Sequence, residues 1–236
     1  MTKSDNHKSI YENGKYSQKN PTWGIEHSPW KAKNIHHMIK KNKITPLTIC
    51  EVGCGAGEIL AQLQNNMSSE IGFEGYDISP QAYLLSKEKA NDKLIFHLED
   101  FLESNTHFDL ILLIDLIEHL ENYYLFLKQI RSRSDYKILN IPLELSLYAI
   151  LDPKFLHREY NRFGHLHYFT KDIALRSLEH SGYKVLDWFY VHSFLTFPPK
   201  GTLARLAKPV IQITTKINDD WTARIFGSNS LMVLAQ

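Results

Sequence analysis

The feature that most constrains this chain is a glycine-rich turn, Gly53-Cys54-Gly55-Ala56-Gly57. The apolar residues 47–50 before it are typical of a buried strand, and residues 58–63 after it have the pattern of a helix. A glycine turn between a strand and a helix lets the backbone approach a ligand closely, because no Cβ stands in the way. The order of strand, turn and helix therefore predicts a ligand-binding α/β fold.

Glu51, at the start of this turn, indicates which ligand is bound. Dinucleotide-binding turns have the spacing G-x-G-x-x-G, whereas the spacing here is G-x-G-x-G and Glu58 stands where the last glycine would be. A carboxylate at Glu51 would repel a pyrophosphate and attract a ligand that carries an ammonium and a sulfonium. S-adenosylmethionine (SAM) carries both charges and no phosphate. The sequence E-x-G-x-G-x-G resembles the first motif of class I SAM-dependent methyltransferases, which implies cofactor contacts from Glu51, Gly53, Cys54, Gly55 and Gly57.

An acidic residue also follows the second predicted strand, residues 70–76. Asp77 lies 20 residues after Gly57, and in doubly wound folds an acid at this place accepts hydrogen bonds from ribose hydroxyls. NAD enzymes and SAM enzymes share this feature, and a turn or capping aspartate is the alternative. Ile78 is placed to pack on the adenine ring.

The pair Asp100-Phe101 follows the third predicted strand, residues 94–98. An acid followed by an aromatic residue here resembles the methyltransferase segment that holds adenine. The resemblance implies that Asp100 accepts from the exocyclic amine and that Phe101 stacks or donates its backbone N–H. The alternative is an exposed loop acid beside a core phenylalanine.

The fourth predicted strand is the continuous apolar run 108–114, typical of a central parallel strand. The run and the six residues after it have the sequence FDLILLIDLIEHL. This sequence resembles the fourth-strand segment of the ubiquinone-pathway O-methyltransferases. The resemblance implies that Asp115 lies near the amino-acid part of SAM and that His119 lies near the transferable methyl group. A later segment, G-H-x-x-x-F-T, is similar to one in that subgroup and contains His165 and His167.

A hydroxyl acceptor would need a base, and imidazole titrates near neutral pH. His119 and His165 are the catalytic candidates, with a hydrogen-bonded structural role as the alternative for each. The motif D-x-x-E-H followed by a later histidine also resembles the metal-dependent small-RNA 3′-end methyltransferases, which have E-x-x-E-H. In that mechanism Glu118, His119 and His165 would hold a divalent cation. Asp115 replaces the first glutamate of that motif, and the metal is left open.

Composition limits the partners. The chain has 236 residues, a net charge of +1 and 43% apolar residues, so its global charge gives no reason to expect nucleic acid. No apolar run approaches the roughly 20 residues of a membrane span, and the polar N-terminus lacks a signal-peptide core. We expect Cys50 and Cys54 to be reduced and structural, which suits a cytoplasmic protein.

We expect one domain over residues 1–236: a Rossmann-like, doubly wound, seven-stranded sheet with an antiparallel last strand and helices on both faces. Residues 1–20 are expected to be mobile. Residues 21–44 are expected to form a helical lid that includes Trp23, Trp30 and nearby tyrosines; the alternative is that the five lysines of residues 31–43, Lys31 among them, form a solvated basic face. Residues 143–163 are expected to be a long irregular segment, and residues 142–170 to help define the acceptor pocket. Residues 193–229 are expected to be an insertion, with a lid, a dimer contact, a membrane-surface patch and a packed surface decoration as the alternatives.

The function that these observations favour is methyl transfer from SAM to a small-molecule acceptor, most simply a hydroxyl. Two alternatives remain open at this point. One is an RNA or protein methyltransferase, with or without a metal ion. The other is a non-catalytic protein that uses the SAM-binding fold for binding or assembly.

Overall fold

The computed structural model describes residues 9–197, 202–227 and 229–236. Within them a seven-stranded sheet has the order β3-β2-β1-β4-β5-β7-β6. Its strands are Thr48–Val52 (β1), Gly72–Asp77 (β2), Leu94–Leu98 (β3), Phe108–Ile114 (β4), Ser134–Pro142 (β5), Val185–Val191 (β6) and Ser230–Ala235 (β7). Strands β1 to β5 pair in parallel, and β7 is antiparallel to both β5 and β6. The predicted sheet with an antiparallel last strand is confirmed.

Twelve helices surround the sheet in the described segments. They are Ser9–Glu12 (α1), Lys15–Lys19 (α2), Ser28–Lys41 (α3), Glu58–Asn66 (α4), Pro80–Ser86 (α5), Tyr123–Ile130 (α6), Leu147–Leu151 (α7), Phe155–Phe163 (α8), Lys171–His180 (α9), Ser193–Thr196 (α10), Thr202–Ile217 (α11) and Asp219–Phe226 (α12). Apolar side chains of α3 and α4 pack on one face of the sheet, and those of α6 and α9 pack on the other. No helix of these segments is long and apolar enough to cross a bilayer.

The apolar run of β4 is buried on both sides of the sheet. Leu110 and Leu112 belong to the core beneath α3 and α4, while Ile111 and Leu113 belong to the core beneath α6 and α9. Successive side chains of a strand point to opposite faces, so a strand covered on both faces needs an unbroken apolar sequence. This pattern in the sequence correctly indicated a central strand.

The neighbours β1 and β4 mark the point where the strand order reverses. From β1 the chain continues to β2 and β3 on one side, and then crosses to β4 and β5 on the other. Ligands of open α/β sheets bind at such a point, outside the carboxyl ends of the strands. The glycine turn follows β1 there, and the segment that begins at Asp115 follows β4.

Three segments differ from expectation. Residues 9–19, expected to be mobile, contain α1 and α2, whereas residues 1–8 lie outside the described residues. The segment 143–163, expected to be irregular, contains the helices α7 and α8. The insertion 193–229 contains α10 to α12, and its residues 198–201 and 228 lie outside the described ones.

Candidate cofactor and acceptor site

The backbone of the glycine turn adopts a conformation that residues with a Cβ would not adopt without strain or steric clash. Gly53, Gly55 and Gly57 have φ values of 72°, 53° and 73°, in the left-handed region that glycine enters without strain. A Cβ on Gly57 would lie 2.5 Å from the ring of Phe96. The side chain of Cys54 is buried in the core, so only the backbone of this residue remains for a cofactor contact.

Asp77 ties the tip of β2 to this turn. Its carboxylate accepts hydrogen bonds from the backbone N–H groups of Gly55 and Ser79, each at 2.8 Å. Burial raises the pKa of Asp77 to about 6, although the backbone donors act in the opposite direction. Each carboxylate oxygen has a further lone pair, so the predicted contact with ribose hydroxyls remains geometrically open.

Glu51 is buried at the end of β1, and its Oε2 has no hydrogen-bond partner among the described residues. Burial raises the pKa of Glu51 well above its usual range; the Lys31 ammonium lowers it, and the charges of Asp77 and Asp115 raise it again. A buried acceptor without a donor is costly. The ammonium of a bound SAM would supply a donor and a positive charge, so Glu51 fits this cofactor.

Asp115 has a protein partner that the sequence did not indicate. Its carboxylate is 2.6 Å from Nζ of Lys31 in α3 and accepts from the Asn140 amide at 2.5 Å. Burial would raise the pKa of Asp115, but the Lys31 charge and these hydrogen bonds hold it below its usual range. The backbone of Asp115 has a φ of 52°, which aspartate tolerates better than most residues. Lys31, expected on a solvated basic face, is instead a partner of the site.

The ring of Phe101 lies in the core. It is 1% exposed and packs edge-on against Tyr76, with ring centroids 5.1 Å apart. This burial favours the backbone N–H contact over stacking, and both stay predictions. Asp100 accepts a hydrogen bond from the backbone of Leu102 at 3.0 Å, and Ile78 is partly exposed beside Asp77.

Backbone hydrogen bonds bring the two candidate histidines together across 46 residues of sequence. The carbonyl of Glu118 accepts from the N–H groups of Leu166 and His167, at 2.8 and 3.1 Å. As a result the rings of His119 and His165 lie with their centroids 4.8 Å apart. His167 instead binds the carbonyl of Leu120 through Nε2 at 2.9 Å, which is a structural role.

The acids around these histidines are unusual. Glu118 is fully buried, and neither carboxylate oxygen has a hydrogen-bond partner among the described residues. Burial, and secondarily the charge of Asp115, raises the pKa of Glu118 to about 8. Nδ1 of His165 lies 2.8 Å from a carboxylate oxygen of Glu144. Burial alone would lower the pKa of His165, but this hydrogen bond and the nearby acids raise it.

Ligand atoms of Glu118, His119 and His165 all lie within 4.8 Å of one another, and so do those of Glu144, Glu159 and His165. Carboxylate oxygens and imidazole nitrogens are ligands that Mn²⁺ and Zn²⁺ accept. The first of these groups is the one that the D-x-x-E-H segment predicted, so the residues present fit a divalent cation.

The N-terminal segment covers this site. The Tyr11 hydroxyl lies 3.0 Å from Nδ1 of His119, and the Tyr16 ring packs on Trp23, with ring centroids 4.8 Å apart. A Cβ on Gly55 would lie 3.4 Å from the Trp23 ring. Burial raises the pKa of Tyr16 to about 12, and the charges of Asp115, Glu118 and Asp77 contribute. Trp30 packs instead on Phe197, with ring centroids 5.4 Å apart, so the cover comes from residues 11–23 more than from α3.

Comparison with known proteins shows the family of this chain. Residues 26–187 match a family model described as a methyltransferase domain, and the chain belongs to this methyltransferase family. No curated protein matches the sequence.

Three solved structures share the fold. The magnesium protoporphyrin IX methyltransferase of Synechocystis PCC 6803 with bound S-adenosylhomocysteine (SAH) has a TM-score of 0.64 and 15% identity, covering 98% of this chain and 99% of that one. A methyltransferase in complex with the Trm112 methyltransferase activator of Haloferax volcanii has a TM-score of 0.65 and 14% identity, covering 94% of each chain. The plantazolicin methyltransferase BpumL with SAH has a TM-score of 0.55 and 16% identity, covering 94% and 88%. With the family match, they identify a SAM-dependent methyltransferase.

Proposed function

We propose that this methyltransferase transfers a methyl group from SAM to a hydroxyl of a small-molecule acceptor, as the resemblance to ubiquinone-pathway O-methyltransferases implies. The observation that carries this proposal is the pair of residues Glu144 and His165, joined by a 2.8 Å hydrogen bond next to His119. An imidazole oriented by a carboxylate is suited to remove the proton of a hydroxyl nucleophile. Two of the similar structures are methyltransferases named for discrete compounds, magnesium protoporphyrin IX and plantazolicin.

The cofactor supplies a methyl group that its sulfonium already activates, so the protein mainly has to align the two reactants. In our proposal Glu51 binds the cofactor ammonium and Asp77 binds the ribose hydroxyls. The backbone of the glycine turn contacts the remainder of the cofactor. His165 accepts the acceptor proton at its Nε2, because Nδ1 is directed at Glu144. His119 lies beside it and completes the wall of the acceptor pocket.

A metal-assisted version has one observation in its favour, the convergence of Glu118, His119 and His165. Neither carboxylate oxygen of the buried Glu118 has a hydrogen-bond partner among the described residues, and a divalent cation would remove the cost of that burial. Glu118, His119 and His165 would hold the cation, which would supply a positive charge to orient acceptor oxygens and to lower the pKa of a hydroxyl.

Two measurements, made one after the other, test the proposal. Calorimetric titration with SAH, using NADH as the control ligand, is expected to give micromolar binding of SAH alone. A screen with methyl-labelled SAM and matched hydroxyl and amine acceptors then identifies the nucleophile. The expected result is methylation of hydroxyls that falls about a hundredfold in His165→Gln. Methylation of amines alone, unaffected by that substitution, would contradict the proposal.

A further inference from the structure

The helix α11 has an apolar face that points away from the protein. Its exposed residues Leu206, Val210, Ile213 and Ile217 are 69%, 50%, 60% and 79% accessible. Their spacing of four, three and four residues places them on one side of a helix. Ile211, on another side, is 3% exposed and anchors the helix. No described residue covers the outer face, which we call the α11 stripe.

The two helices next to α11 in the fold also expose large apolar side chains. Trp221, in α12, is 67% exposed, and α12 packs against both α11 and α7. In α7 the side chains of Leu147, Ile150 and Leu151 are 50%, 68% and 72% exposed. Exposed apolar surface on three helices that pack in series indicates an interaction site rather than ordinary surface composition.

The charges beside the stripe are basic. The helix α11 contains Arg205, Lys208 and Lys216 and no acidic residue, and Arg205 and Lys216 are exposed. In the following helix, Asp220 is bound by Lys171 and Arg224, at 2.5 and 2.7 Å. Asp219 Oδ1 lies 3.4 Å from Nε2 of His192. A partner that accepts this surface therefore has both apolar and negatively charged groups.

We propose that the α11 stripe, with Trp221 and the exposed side of α7, docks on the surface of a bilayer that contains anionic lipids. A helix with an apolar face, basic residues beside it and a tryptophan nearby is suited to lie in the plane of such an interface. The basic residues face the anionic headgroups, and the leucine and isoleucine side chains enter the acyl boundary.

A second copy of the chain fits this surface less well. Dimers with twofold symmetry place the same surface patch of both subunits in contact. Arg205 and Lys216, which flank the stripe, would then face their own copies without an acid of α11 to balance them, and like charges across an interface are unfavourable. An anionic bilayer surface has no such conflict.

The docking surface leads directly to the acceptor side of the site. Only Leu145 and Ser146 separate Glu144 from the start of α7. Gly227, at the end of α12, abuts Ser146, since a Cβ on Gly227 would lie 2.6 Å from the Ser146 hydroxyl. Docking through these helices would therefore bring the Glu144 and His165 pair close to the membrane surface.

Vesicle flotation with the full-length protein tests the docking. We expect the wild-type protein to float with equimolar phosphatidylcholine and phosphatidylglycerol, and much less with phosphatidylcholine alone or at high salt. The triple variant Leu206→Ser/Ile213→Ser/Ile217→Ser should lose affinity for the mixed vesicles by about tenfold or more. Arg205→Gln/Lys216→Gln should lose the preference for the anionic vesicles.

The matched control is Leu84→Ser, which changes a 53% exposed leucine of α5 far from this surface. It should float like the wild type. Thermal unfolding and SAH affinity establish that each variant is folded. Neither measurement requires the methyl acceptor to be known. Absence of wild-type flotation, or equal flotation of the triple variant, would overturn the proposal. A wild-type dimer that the triple variant converts to monomer, seen by light scattering, would assign the surface to a second copy instead.

Discussion

The hydroxyl of Tyr11 lies 3.0 Å from Nδ1 of His119, although 108 residues separate them in the sequence. The contact places the first described helix over the proposed acceptor side of the site. It also joins the N-terminal segment to the segment after β4.

We expect Tyr11→Phe to lower kcat about fivefold, because a hydrogen bond of this kind contributes roughly 1 kcal/mol. The SAH dissociation constant should stay the same. In a His119→Ala background the substitution should have no further effect on kcat, since the two groups act together. Tyr124→Phe is the control, because its hydroxyl binds Ser177, remote from the site, at 3.1 Å. Additive losses in the double variant would show that the contact has no role in turnover.

We predict that Asp77 makes cofactor binding depend on pH. Its pKa is raised to about 6 by burial, so the carboxylate is protonated below that pH and is then a poorer acceptor for ribose hydroxyls. We expect SAH to bind on the order of tenfold more weakly near pH 5 than near pH 7.5. Calorimetry on Asp77→Asn should show weak binding with little of this pH dependence. An unchanged pH profile in the variant would assign it to another group.

The raised pKa of Asp77 also makes folding stability depend on pH. SAH binding is expected to strengthen as the pH rises, whereas this contribution to stability decreases. The folded state keeps the Asp77 proton up to about pH 6, whereas the unfolded chain loses it near pH 3.9. Its contribution to stability is therefore fully present below the unfolded pKa and is lost as the pH rises through the folded pKa. Urea unfolding from pH 4 to 7 should show a smaller decline for Asp77→Asn than for the wild type. Asp172→Asn, at an exposed position on α9, should decline like the wild type.

The glycine turn allows steric clash to be separated from backbone strain. Gly57 and Gly24 have similar φ values, 73° and 70°, but a Cβ on Gly57 would meet Phe96 whereas one on Gly24 would meet nothing within 4 Å. Both alanine variants should lose about 1 kcal/mol from the left-handed backbone. Gly57→Ala should lose about 2 kcal/mol more from overpacking. Urea unfolding at fixed pH measures both losses, and equal values would mean that Phe96 moves aside freely.

The features that could be predicted from the sequence are those that a few consecutive residues define. Contacts between residues far apart in the sequence could not be predicted. The glycine turn, Asp77 and the apolar run of β4 can each be recognised from a few consecutive residues. Their order along the chain predicts the sheet. The pairs Lys31–Asp115 and Glu144–His165 are 84 and 21 residues apart, and nothing local distinguishes Lys31 from the other lysines of α3. Glu144 could have been noticed, because it lies two residues beyond the carboxyl end of β5, at the ligand edge of the sheet. Tyr11 and Tyr16 lie in a polar segment with no motif.

The cluster of Glu118, His119 and His165 leads to a prediction that does not require the acceptor to be known. If the cluster holds a divalent cation, calorimetric titration of the metal-free protein with Mn²⁺ should give one site. His119→Ala and His165→Ala should each weaken it by an order of magnitude or more. His180→Ala is the control, because this histidine lies at the end of α9 and its ring packs against Tyr124. Metal-assisted turnover should also stop in chelator and return with Mn²⁺ or Mg²⁺. Chelator-insensitive turnover without Mn²⁺ binding would leave His165, oriented by Glu144, as the base that acts alone.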